Sequence, residues 1–130
     1  FDDSVDESCS TGQFAMPNEY TGSGTLKAKV YYYTSSATSG TFACNVPVEA
    51  ITDADAVDLE GAHSADLTGN AGSATVPGTA GHLDVITITL ANKDSVAAGD
   101  LTRILFYRDI SEDSVSGDIY LASMELYEET

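Results

Sequence analysis

Residues 24–34 read GTLKAKVYYYT, and the alternation in that stretch decides the fold. Leu26, Ala28, Val30 and Tyr32 fall on one face, and Thr25, Lys27, Lys29, Tyr31 and Tyr33 on the other. Side chains of an extended strand point alternately to opposite faces, so an apolar period of two marks a strand half-buried against a core. Residues 41–51, TFACNVPVEAI, repeat the pattern with Phe42, Cys44, Val46, Val48 and Ala50 in phase. The intervening SSATSG suits a hairpin turn. Pro47 removes a ladder donor, which predicts an edge or a bulge at that point.

The same reading extends in both directions. Residues 83–91, LDVITITLA, place Ile86, Ile88 and Leu90 inward and follow Pro77-Gly78, a pair suited to the centre of a type II turn. Residues 100–108, DLTRILFYR, form a further strand. The last, 117–127, GDIYLASMELY, carries Tyr120, Ala122, Met124 and Leu126 on its expected core face. Residues 7–16 make a weaker strand ending before Pro17. The stretch from Asp53 to Ser73, rich in Ala, Gly and Asp, reads as a long loop or covering excursion with little to bury. Strands spaced this regularly, with Gly and Ser turns and no convincing helix, imply an all-β sandwich or barrel. A length of 130 residues suits one domain. Residues 1–20 are expected to form an N-terminal strand and assembly segment, and 21–130 the sandwich itself.

Charge narrows the function classes. Five basic residues against 21 acidic ones give a net charge of −16. Such a surface repels nucleic-acid phosphates and anionic membranes, so neither is an expected partner. No stretch nears the roughly 20 apolar residues of a membrane-spanning helix. The charge costs least in a salty medium that screens self-repulsion. The first residue is Phe1 rather than Met, which fits removal of a leader on export and an extracellular or virion location. Cys9 and Cys44 are the only cysteines and form a disulfide candidate, worth about 2–4 kcal/mol if closed. Two small buried thiols that never meet are the alternative.

Catalytic signatures are missing: there is no G-x-S-x-G elbow, phosphate-binding glycine loop or H-E-x-x-H helix. His63 and His82 lie in glycine-rich connections without a nucleophile nearby in sequence. No enzyme activity and no cofactor are expected, with calcium the open case. Asp53, Asp55, Asp58 and Glu60 bring four hard oxygen donors close together, the chemistry Ca²⁺ requires, although their spacing departs from the helix-loop-helix calcium motif. Asp109, Glu112, Asp113 and Asp118 form a second acidic cluster, and Asp2, Asp3, Asp6 and Glu7 a third. In a chain this acidic, all three also read as ordinary solvated loops. Tyr31 and Tyr33 point away from the core and could stack on sugar rings or pack against a neighbouring subunit. With no Trp in the chain, subunit packing is favoured, and a glycan is the secondary partner.

The run GTLKAKVYYYTSSATSGTFACNVPVEAIT, followed by VPGTAG, the DSVAAGDL turn and the SGDIYL stretch that opens the final strand, resembles small virion structural proteins of environmental tailed phages. The opening FDDSVDES and MPNEY are similar to their usual start, and the resemblance covers nearly the whole chain. It implies a single antiparallel β-sandwich, jelly-roll-like, of about six to eight strands. Such a sandwich would serve as a fibre, decoration or filament subunit without chemistry of its own. The resemblance transfers no functional residues, and the two cysteines depart from it. The chain is therefore expected to be a self-assembling homopolymeric subunit, with Phe1, Val5, Tyr31 and Tyr33 as interface candidates. A carbohydrate-binding module with a structural calcium is the rival.

Overall fold

The computed structural model describes residues 1–63 and 69–130. Those residues form eight strands and no helix: β1 (Glu7–Ala15), β2 (Thr25–Thr34), β3 (Thr41–Asn45), β4 (Val48–Ile51), β5 (Ala71–Thr75), β6 (Asp84–Thr89), β7 (Leu101–Arg108) and β8 (Ile119–Glu129). One antiparallel sheet has the order β1-β7-β3-β5, with β4 also paired to β7. The other has the order β6-β2-β8. Only β3, β4 and β5 follow one another within one sheet, so the other connections among the described strands cross between layers, a jelly-roll-like path. The protein is a β-sandwich, as the alternation predicted.

The core fills the space between the layers. Ala28, Val30 and Tyr32 of β2 and Phe42 of β3 are fully buried, with Ile86, Ile88, Ile104, Phe106 and Ile119 among the residues packed beside them. Tyr32 and Phe42 meet between the layers, their rings tilted at 46° with centroids 4.5 Å apart. That contact corrects one expectation. β2 and β3 lie in different sheets, so SSATSG is a crossing between layers rather than a hairpin turn. Two strands with strongly apolar faces bury more by opposing those faces than by lying side by side. Gly40 makes the crossing fit, with φ +107° and a Cβ position only 2.8 Å from Ser114 O. The break at Pro47 is present: β3 stops at Asn45, β4 resumes at Val48, and Pro47 O accepts a hydrogen bond from Leu105 N (3.0 Å).

The last strand departs from its expected phase. Its register against β2 shifts between Leu121 and Ser123, with Ala122 as the extra residue. A bulge of this kind reverses the alternation on one side of it. Ile119 and Leu121 therefore face the core, as Met124 and Leu126 do beyond the bulge, while Tyr120 is 43% exposed. The expected N-terminal strand is present as β1. Residues 7–15 pair antiparallel along β7. Residues 64–68 of the expected excursion lie outside the described residues, and Ala71–Thr75 at its end is β5.

Candidate assembly site

The sheets close differently on their two flanks. At the β5/β6 flank, a Cβ on Gly72 would lie 2.5 Å from Ile88 Cγ1 and 2.9 Å from Ile86 Cγ2. The missing side chain lets the layers approach and seals the core there. At the opposite flank, β1 and β8 are the outermost strands of their sheets and leave a groove of about 670 Å³ between them. Ile104 forms its floor, Cys9 and Phe14 line the β1 side, and Leu121, Met124 and Leu126 line the β8 side. Register explains the lining, since Cys9, Gly12 and Phe14 oppose Phe106, Ile104 and Thr102, the inward residues of β7. Phe14, although it faces inward, is 37% exposed because no strand covers it. In a chain with a net charge of −16, no charged residue among the described residues lines this groove.

Phe1 pairs with the start of β8. Phe1 N donates to Ile119 O (2.7 Å) and Phe1 O accepts from Ile119 N (3.0 Å), the reciprocal pair of an antiparallel ladder. Its ring packs edge-on against Phe106, centroids 4.8 Å apart. Arg108 secures this arrangement from below. Fully buried, it donates through Nε and Nη2 to Asp113, through Nη1 to Phe1 O and Gly117 O, and through Nη2 to Val115 O. All five guanidinium N–H groups are thus satisfied. Phe1, expected at an interface, is committed within its own chain; Val5 is exposed.

Tyr31 and Tyr33 lie on the uncovered outer face of the three-stranded sheet, half-buried among their neighbours. Tyr33 stacks on Tyr120 with centroids 5.1 Å apart and planes at 8°. Tyr31 donates its hydroxyl to Glu125 (3.1 Å), and Lys29 lies over the Tyr127 ring. Much of this aromatic surface is therefore engaged within the sheet.

Many of the clustered acids accept hydrogen bonds from the chain itself. Asp55 Oδ2 accepts from Thr52 N (2.8 Å) and Asp58 Oδ1 from Glu60 N (2.9 Å). The structure does not gather Asp53, Asp55, Asp58 and Glu60 into a cation cage: among the described residues no three His, Cys, Asp or Glu converge as metal ligands. Asx-type turns explain the sequence cluster, because short acids cap nearby backbone N–H groups. Near the N-terminus, Asp3 accepts from Gly117 N (2.5 Å) and Asp6 from Ile110 N (3.0 Å). Both thiols are free, which corrects the disulfide expectation. Cys9 pairs with Phe106 on one side of β7, and Cys44 with Arg108 on the other, so a whole strand separates them. Two strand spacings exceed the reach of about 7 Å between Cα atoms that a disulfide tolerates. Burial pushes the Cys44 thiol up to about 12 and raises that of Cys9.

One buried ionic cluster was not foreseen. Glu49 of β4 and Arg103 of β7 are register partners on the outer face of their sheet, with Arg103 Nε 3.4 Å from Glu49 Oε2. His63 Nδ1 lies 3.4 Å from the same oxygen, and Arg103 Nη2 donates to Gly61 O (3.2 Å). The chain around residues 61–63 thus covers a charged pair that the strand alternation had turned towards solvent. Burial, and next the Arg103 charge, hold the His63 pKa below its ordinary value, against the pull of Glu49. No family model, curated protein or solved structure matches the chain.

Proposed function

We propose that the protein is a structural subunit that assembles with copies of itself into an extracellular filament, tube or virion appendage. The observation that carries this reading is the open groove between two outer strand edges, uncharged among the described residues and paired only where Phe1 meets Ile119, in a chain otherwise crowded with carboxylates. Unpaired edges are templates for strand addition, and proteins that stay solitary blunt them with charges or cover them. Here Ser8–Ala15 of β1 and Ile119–Met124 of β8 carry no charged residue at all. Acidic repulsion between copies is weakest at such surfaces and is screened further in brine. Negative-stain microscopy and sedimentation of purified protein, at low and at high salt, test the reading. Filaments or tubes that grow as salt rises are expected; a monomer at high concentration in brine would refute it.

A carbohydrate-binding reading draws on the uncovered tyrosine face of the three-stranded sheet. The pairing of Tyr33 with Tyr120, and of Lys29 with Tyr127, leaves fewer ring faces for sugars and favours the assembly reading. Glycan binding that is lost on Tyr31→Ala or Tyr33→Ala would reverse that preference.

A further inference from the structure

The assembly reading leaves open which surfaces join, and the strand edges bear on that choice. Leu90 N donates to Leu26 O, which fixes the ladder phase: residues 84, 86 and 88 of β6 bond to β2. Val85 and Thr87 consequently turn their backbone groups away from the sheet. The reciprocal pair between Phe1 and Ile119 fixes the phase of β8 in the same way. Ile119 and Leu121 present their backbone groups to the free edge, and beyond the bulge Met124 and Leu126 do so. Ile119 is taken by Phe1, so among the described residues the unpaired row on β8 is Leu121, Met124 and Leu126, and that on β6 is Val85 and Thr87.

The side chains of the two rows are also compatible. Residues 85–89 of β6 and 119–124 of β8 are without charge. Leu83 and Val85 are 61% and 39% exposed at the β6 edge, and Tyr120 and Phe14 are exposed at the other flank. A copy pairing its own β8 edge with that of a twin, with Phe1 retained at Ile119, would centre the contact near Glu125 and set like charges together. A copy offering β6 would bring Val85 and Thr87 to Met124 and Leu126, and the one carboxylate of β6, Asp84, accepts from the Tyr32 hydroxyl (2.7 Å) within its own subunit.

We infer that the β8 edge, with the groove beside it, takes the β6 edge of a second copy, so that the three-stranded sheet runs on from subunit to subunit. This inference rests on the assembly reading. Both β6 and β8 lie antiparallel to β2, so they are parallel to each other, and a copy related by translation adds its β6 parallel to β8. Such a contact joins two different surfaces and leaves both outer surfaces free. Repetition therefore produces an open fibre rather than a closed dimer.

Complementation between two one-sided variants tests the pairing. Thr87→Pro removes a donor only from the free edge of β6, and Met124→Lys places an inward charge at the β8 edge. Val85→Lys replaces Thr87→Pro if that variant does not melt cooperatively. Each variant alone is expected to stay monomeric under conditions where the unaltered chain forms fibres, and an equimolar mixture is expected to give dimers and nothing longer. Fibres formed by either variant alone would overturn the pairing while leaving assembly standing. Dimers of the β6 variant by itself would replace it with a two-fold contact through β8. Failure of the unaltered chain to assemble would remove both.

Discussion

Replacing Arg108 by Leu should be the most damaging single change outside the apolar core. The guanidinium is fully buried, and the Asp113 carboxylate beside it is 2% exposed, so the substitution leaves a buried charge without its partner. Breaking a buried pair in this way costs about 3–5 kcal/mol. Asp113 keeps hydrogen bonds from Val115 N (2.7 Å) and Ala43 N (3.3 Å), which places the cost towards the lower end. The carbonyls of Val115 and Gly117 also lose the Arg108 donor, at about 1 kcal/mol each where water cannot replace it, while Phe1 O keeps Ile119 N. A domain of this size has about 5–15 kcal/mol in total, so the midpoint of thermal unfolding should fall by about 10–20 °C. Urea titration and thermal melts followed by circular dichroism measure the loss. The pair Arg108→Leu with Asp113→Leu should recover a large part of it, because both charges leave together. A loss below about 1 kcal/mol for the single change, or a double variant no better than the single, would show that the clasp does not hold the N-terminus as described.

Two further outcomes follow from local geometry. Gly72→Ala puts a Cβ against Ile86 and Ile88 and should destabilise the sealed flank by about 1–3 kcal/mol, read as a lower urea midpoint at unchanged slope; an unchanged midpoint would mean the layers separate freely there. The lowered pKa of His63 makes the folded state resist a proton that the unfolded chain accepts below its ordinary value of 6.5. The unfolded state then binds more protons, so this contribution is complete above 6.5 and is lost as pH falls through the folded value. Between about pH 7.5 and about pH 5.5 the unaltered protein should lose more stability than His63→Gln, and parallel losses in the two would contradict the burial of the ring over Glu49.

The strands were legible because their alternation is a local property. Leu26 to Tyr32 and Ile86 to Leu90 announce their buried faces within a few residues, and the structure buries them. What was not legible depends on partners distant in the chain. The bulge at Ala122 arises in pairing with β2 and turned Tyr120 outward against the pattern. The crossing at SSATSG has the same residues a hairpin would have, and only the packing of Tyr32 on Phe42 between layers decides its course. Glu49 and Arg103 each occupy an ordinary solvent-side position in their strands; their pairing requires the β4–β7 register, and their burial requires the chain at Gly61 and His63. The groove is the extreme case, built from strands at opposite ends of the sequence. Its residues look like unremarkable small and apolar side chains until β1 and β8 are seen as neighbouring edges.

Amide hydrogen exchange, compared between dispersed and assembled protein, tests the central claim most directly. Assembly through the strand edges predicts new protection at Met124 and Leu126 of β8 and at Val85 and Thr87 of β6, with the tyrosine face and acidic loops unchanged. Edge amides that exchange equally fast in fibre and monomer, or protection confined to the loops around Asp53 and Asp109, would contradict it.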